Sequence, residues 1–327
     1  MGLHTPDELN ILNKRSRVSN YWSTAKLWTN DNDSPKIAGG GNSERVLFLH
    51  GFQDNCGSFD RLIPLLDGGQ HCTYLSFDWP NHGRSSRTPY GVRWSLEDYT
   101  VTIRRVADHV RWSAFVCVGH SMGGQVAKLF TAVYPDHVKK LVMLDTAGPV
   151  EVHPEEIGSC IRRALDELLK LENRKFAGDA KYPPPEYAYP EAVARIKNRM
   201  FGLESEDTFN DDAAKALMAR YFRQKGQGGK YLLANDLRLK VTYSEWFSAI
   251  QFWDVVKNIK CPTLIIRASE SDVYYNGVFK IFVHIYEQNP NFKIVRVQGN
   301  HDVHMNHPHR VAPLINKFLN NNSLCKL

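Results

Sequence analysis

The feature that most constrains this chain is an alternation of short apolar runs with helical patterns. The runs are Val46-Leu47-Phe48-Leu49, Thr73-Tyr74-Leu75-Ser76-Phe77, Ala114-Phe115-Val116-Cys117-Val118 and Leu141-Val142-Met143-Leu144. Each is too short for a buried helix and is closed by Gly, Asp or His. Each therefore predicts a strand covered on both faces. Between them stand Phe59 to Leu66, with Phe59, Leu62, Ile63 and Leu66 on one helical face, and a segment from Leu96 to about Val110 opened by Ser95. Gln125 to about Tyr134 follows the third run. Strands and helices alternating in this way predict an α/β fold with a mostly parallel sheet flanked by helices.

The alternation stops at about Pro149. From residue 150 to 240 the chain is charged and helical, with amphipathic patterns at Ile161 to Leu171 and Asp212 to Phe222. Tyr182-Pro183-Pro184-Pro185 and Gly226 to Gly229 punctuate it, and no part reads as a buried parallel strand. The pattern resumes with a strand at Thr263 to Ile266, a helix at 277–288, a strand at Lys293 to Val297 and a closing helix from Pro308 to Leu319. Residues 1–44 are polar and irregular, with two short edge strands expected between Val18 and Trp28. The expected division is a core in two parts, 1–149 and 241–327, interrupted by a helical insert at 150–240.

In a parallel sheet, a site forms at the carboxyl ends of the strands. Gly119-His120-Ser121-Met122-Gly123 lies at one such end, between a predicted strand and a predicted helix. That context turns a weak G-x-S-x-G match into a candidate nucleophile turn, with Ser121 exposed above the sheet. A serine hydroxyl needs a base, and the order in this architecture is Ser, then Asp or Glu, then His. His301, just after the last strand, is the expected base; His304, His307 and His309 lie further along and are expected to face away. The acid is expected at the end of the preceding strand, where Asp272 is favoured over Glu270, with Asp145 a third candidate. The backbone N–H groups of Met122 and Phe52 are the expected oxyanion donors. His50, Asp78 and His82 read as residues that shape the loops beside the site. No cofactor is expected. The histidines at 301, 304 and 307 lack the i, i+4 pair and glutamate of a zinc helix.

These motifs together resemble the α/β-hydrolase superfamily from about Val46 to Phe318. The stretch His50-Gly51-Phe52-Gln53-Asp54-Asn55-Cys56-Gly57-Ser58-Phe59-Asp60-Arg61-Leu62-Ile63-Pro64-Leu65-Leu66 resembles the serine hydrolase-like, kraken-type group. Gly299-Asn300-His301-Asp302-Val303-His304-Met305-Asn306 is similar to that group's histidine loop. The resemblance implies Ser121 as nucleophile, His301 as base, Phe52 and Met122 at the oxyanion positions, and the helical insert as a cap. Relatives commonly carry Gly after the strand preceding the acid. Here Arg267-Ala268-Ser269-Glu270-Ser271-Asp272 has none, so the acid stays open among Asp272, Glu270 and Asp145.

Composition removes several classes of function. The net charge of +6 is spread without a dense basic block, which does not suggest nucleic-acid binding. No apolar run approaches the roughly 20 residues of a membrane span. The six cysteines form no C-x-x-C pair, and the start of the chain has no secretory pattern, so reduced thiols inside the cell are expected. Cys325-Lys326-Leu327 resembles a peroxisomal address, which makes the import receptor an expected partner and the peroxisome or cytoplasm the expected location. The resemblance also implies peroxisomal placement. The expected activity is hydrolysis of a carboxylic ester or thioester through Ser121, His301 and Asp272. The alternatives are C–C bond hydrolysis or lyase chemistry on the same site, or a low-turnover binding protein.

Overall fold

The computed structural model describes residues 7–11, 23–29, 44–67, 72–91, 94–146, 148, 154–178, 181–197, 209–227, 229–241, 249–271, 282–284, 286–287 and 290–320. Its frame is an eight-stranded sheet in the order β1-β2-β4-β3-β5-β6-β10-β11. The strands are β1 (Asp7–Ile11), β2 (Ser23–Thr29), β3 (Glu44–Leu49), β4 (Cys72–Phe77), β5 (Phe115–His120), β6 (Val138–Leu144), β10 (Thr263–Ala268) and β11 (Phe292–Val297). From β4 to β11 every pairing is parallel, while β1 and β2 add an antiparallel edge.

Period-2 alternation explains why the central strands are apolar throughout. In β5, Phe115 and Cys117 join one core cluster, and Val116 and Val118 join the other. Leu47 and Leu49 of β3 divide from Val46 and Phe48 in the same way. Against the first face pack α1 (Leu96–Val110) and α2 (Met122–Val133), with α6 (Ala249–Val256) beside them. Ser95 starts α1 as expected, in a reciprocal capping box with Asp98. The other face is covered by the closing helix, here α7 (Pro308–Asn320), through Val311, Ala312, Ile315, Phe318 and Leu319. Lys140, near the amino end of β6, donates its Nζ to the carbonyls of Phe318 and Leu319 and so caps the far end of that helix.

Three expectations on the framework need correction. The helix expected at Phe59 to Leu66 is instead two 3-10 turns, Cys56–Phe59 and Ile63–Leu65. Pro64 lacks the N–H that a continuous helix requires, and Asn55 caps the first turn by accepting from the Gly57 N–H. The first edge strand lies at Asp7–Ile11, earlier than Val18. The segment between β6 and β10 is not purely helical. Besides α3 (Ile157–Phe176), α4 (Tyr189–Lys197) and α5 (Asp211–Tyr221), it holds a small antiparallel sheet of β7 (Glu186–Tyr187), β8 (Phe222–Lys225) and β9 (Lys230–Leu233). Those strands are short and largely exposed, so no continuous apolar run marked them. The helix expected at 277–288 falls mostly outside the described residues, as do Asp272 and Cys325-Lys326-Leu327. Among the described residues, no helix is long and apolar enough to cross a membrane.

The inserted segment is bolted to the sheet by charge. Arg220 near the end of α5 is fully buried and donates Nη1 to Asp78 Oδ2 at 2.9 Å. Asp78, just beyond β4, also accepts from the N–H groups of Cys56 and Arg84 and from the Thr24 hydroxyl. Burial by itself would raise the Asp78 pKa. The Arg220 guanidinium and the two backbone donors outweigh it and hold the carboxyl below its ordinary range.

Candidate active site

Ser121 occupies the turn between β5 and α2 with φ 51° and ψ −122°, a backbone conformation that costs a non-glycine residue of order 1–3 kcal/mol. The cost is met by packing. A Cβ at Gly123 would stand 2.1 Å from the Leu49 carbonyl oxygen, so the helix can start this close to β3 only with glycine there. The Ser121 N–H is held by the Leu144 carbonyl at 3.1 Å, and the Ser121 carbonyl receives the N–H groups of Gly124 and Gln125. The hydroxyl-bearing residue is thus fixed from both sides at the carboxyl edge of the sheet. Met122 is the first residue of α2, where helix N–H groups lack an intrahelical acceptor.

His301 follows β11 and is buried, with Nδ1 2.6 Å from Asp145 Oδ2. Asp145 stands just past β6 at φ 47°. Its other oxygen accepts the Ala268 N–H at 2.8 Å, and its own N–H reaches the Ile266 carbonyl at 2.7 Å. The carboxylate is therefore aimed by β10, the strand beside β6. Of the three candidate acids the described residues bring Asp145 to His301, while the favoured Asp272 lies outside them. Asp145 also satisfies the chain order, falling between Ser121 and His301. Glu270 is exposed, and its N–H bonds the Gly299 carbonyl. The sequence signal for Asp145 was its place at the end of a predicted strand. What the sequence withheld was that the loop carrying His301 returns to the end of β6.

The loop after β3 passes close against Ser121. A Cβ at Gly51 would lie 3.2 Å from Ser121 Cβ and 2.9 Å from His120 Nδ1, so only glycine allows the approach. The Gly51 carbonyl accepts from His50 Nδ1 at 2.8 Å and from the Asp54 N–H at 3.2 Å. His50 Nε2 receives the Trp79 N–H at 3.1 Å, which fixes the proton on Nδ1. In a trans peptide the N–H and C=O point in opposite directions, so these bonds orient the Phe52 N–H as well. Gln53, at φ 62°, donates its N–H to His82 Nε2 at 3.1 Å. His82 Nδ1 in turn meets the Pro80 carbonyl. Burial lowers the His82 pKa to about 4, which keeps Nε2 an acceptor at neutral pH. The histidines expected to shape the loops therefore do so through named bonds.

Beneath the serine lies a second polar group that sequence reasoning missed. His120 Nε2 is 3.0 Å from the His301 carbonyl and therefore donates to it. Asp54 Oδ2 lies 3.7 Å from His120 Nδ1, and Asp302 Oδ1 lies 3.9 Å from Nε2. His304 stacks on the His120 ring with centroids 4.1 Å apart, so it faces the site rather than away from it. Asp54, His120 and Asp302 each offer a ligand atom within 4.8 Å of the others, all buried. Their arrangement does not suit one ion, because the two carboxylates face opposite nitrogens of a single ring. His120 Nε2 is moreover occupied by the His301 carbonyl.

Comparison with known proteins identifies the family. Residues 44–308 match the α/β-hydrolase fold family. A Drosophila melanogaster protein described as a probable serine hydrolase is 33% identical over 306 residues, covering 91% of this chain and 85% of its own. A Danio rerio serine hydrolase-like protein is 29% identical over 292 residues, covering 87% and 84%. Among solved structures, a hypothetical protein of Pseudomonas aeruginosa PAO1 superposes with a TM-score of 0.76 at 23% identity, covering 96% of this chain and 100% of that one. The thioesterase domain from the curacin biosynthetic pathway gives 0.69 at 20%, covering 95% and 99%. By sequence and by the turn that carries Ser121, the chain belongs to the α/β-hydrolase fold family, with the serine hydrolase-like proteins as its relatives.

Proposed function

We propose that the protein is a serine hydrolase that cleaves carboxylic esters or thioesters through an acyl-enzyme. The observation that carries this reading is the 2.6 Å contact between His301 Nδ1 and Asp145, in a chain that also holds Ser121 on a strained strand-to-helix turn. Asp145 fixes the proton on Nδ1, which leaves Nε2 of His301 as the base. Ser121 Oγ attacks the substrate carbonyl carbon while Nε2 takes its proton. The carbonyl oxygen becomes an oxyanion received by the Phe52 and Met122 N–H groups. Collapse expels the alcohol or thiol, which takes the proton from His301. Water then repeats the sequence on the acyl-serine and releases the acid. Each oxyanion donor contributes about 3 kcal/mol to such a transition state. The inserted segment at 150–240 serves as the cap over this site, held by Arg220.

The test is labelling by a fluorophosphonate probe, which reports an activated serine without requiring a known substrate. Wild type should label, and Ser121→Ala and His301→Ala should not. A folded wild type that stays unlabelled overturns the reading. Aryl ester and acyl-thioester screens then separate the two substrate classes, and product analysis separates either from C–C bond cleavage. Asp145 beside His301 supports turnover over the low-turnover alternative.

A further inference from the structure

His301 reaches the serine from far away in the sheet. It follows the edge strand β11, and both β10 and β6 stand between that strand and β5, which carries Ser121. Such a base needs two fixings: one for the ring, to set the tautomer, and one for the backbone, to set where the ring hangs. Asp145 supplies the first. The second comes from the residue immediately before the serine. His120 is the last residue of β5, is 1% exposed, and gives its Nε2–H to the His301 carbonyl at 3.0 Å.

We propose that His120 is a positioning residue that locks the base loop to the nucleophile strand through this hydrogen bond. The inference rests on the serine hydrolase reading and extends it to a residue outside the reacting set. The bond joins the two chain segments that must stay in register during proton transfer, Ser121 on one side and His301 on the other. The His120 ring has little freedom of its own. The rings of His301 and His304 lie 4.6 and 4.1 Å away, with Asp54 facing Nδ1 and Asp302 facing Nε2. Among the described residues, these four and Asp145, which acts on His120 through space, are the titratable groups around it. Burial lowers the His120 pKa, which favours the neutral ring with its proton on the nitrogen that meets the carbonyl.

The decisive experiment compares His120→Gln with His120→Asn in the full chain. The glutamine amide nitrogen reaches about as far as Nε2 and can still donate to the His301 carbonyl. The asparagine amide ends near the Nδ1 position and cannot. Both are neutral and polar, so they separate the bond from the charge and from simple volume loss. The readout is the second-order rate of fluorophosphonate labelling across pH 5 to 10, with a thermal melt to verify folding. The expected result is that Gln keeps the wild-type rate within about threefold and the same pH profile. Asn should lose about tenfold or more, in line with the sensitivity of catalysis to small misplacements, and shift the pH profile set by the base. Equal rates and profiles for Gln and Asn overturn the proposal, whether both are fast or both are slow. If either variant does not fold, His120→Leu takes its place, and a folded Leu variant with wild-type rate and profile overturns the proposal equally. Failure of wild type to label is a separate outcome: it removes the hydrolase reading and this inference with it.

Discussion

Two buried carboxylates stand just past parallel strands of this sheet, and they do opposite things. Asp78 follows β4 and is saturated: two backbone N–H groups, a threonine hydroxyl and a guanidinium all converge on it. Asp145 follows β6 and divides its oxygens, one to the Ala268 N–H and one to an imidazole. Asp78 is a latch, because every partner keeps its charge or dipole permanently. Asp145 instead orients an imidazole, because its bond to Nδ1 of His301 leaves the ring's other nitrogen to face elsewhere. Position at a strand end does not distinguish the two. The residue that the fold delivers opposite does: Arg220 from the inserted segment in one case, His301 from the edge of the sheet in the other.

The contrast can be broken from either side. The largest effect is expected at Asp145→Asn, where loss of the fixed tautomer should lower turnover or labelling by roughly 10³- to 10⁴-fold while the melting temperature hardly moves. Next is Asp78→Ala, which leaves Arg220 buried without its carboxylate and should cost about 3–5 kcal/mol in denaturant unfolding. At conditions where it stays folded, it should still label Ser121. Replacing both partners, as Asp78→Leu with Arg220→Leu, should cost less than either single change, because no charge is left uncompensated. A double change worse than the sum would show that Asp78 does more than hold Arg220.

Acid should loosen the latch side first. The folded His82 pKa of about 4 lies below its ordinary value of 6.5, so the unfolded chain binds the extra proton. The stability from neutral His82 is therefore fully present above pH 6.5 and is lost as pH falls towards 4, by about 3 kcal/mol in all. Equilibrium unfolding between pH 7 and 4 should show that loss, and His82→Gln should flatten it. The smallest effect is expected at Asp272→Asn. With Asp145 on His301, this change should alter labelling by no more than about twofold, as for substitutions outside such a network. A loss as large as that of Asp145→Asn would restore Asp272 to the site.

The central sheet was legible because strands buried on both faces must be apolar at every position, as Val46 to Leu49 and Ala114 to Val118 are. The strand-to-helix turn at Ser121 was legible because its glycines answer to local crowding, which a five-residue pattern records. The small sheet of β7, β8 and β9 was not, because two to four half-exposed residues leave no periodic trace. The partner of His301 was only half legible. Asp145 and Asp272 both follow predicted strands, and the choice depends on which strand end the loop carrying His301 crosses, a property of the assembled sheet. Asp54, His120 and Asp302 carried no signal at all. They lie at distant places in the chain and acquire meaning only by meeting around one imidazole ring.

The path of α7 has a practical corollary. The helix leaves the carboxyl edge of the sheet just after His301 and runs over 13 residues, about 20 Å, before Lys140 clasps its last carbonyls near the amino edge. Asn320, the last described residue, therefore lies on the rim opposite Ser121. Anchoring the enzyme to a bead or an electrode through that end would leave the mouth of the site pointing outward, with the sheet itself as the spacer.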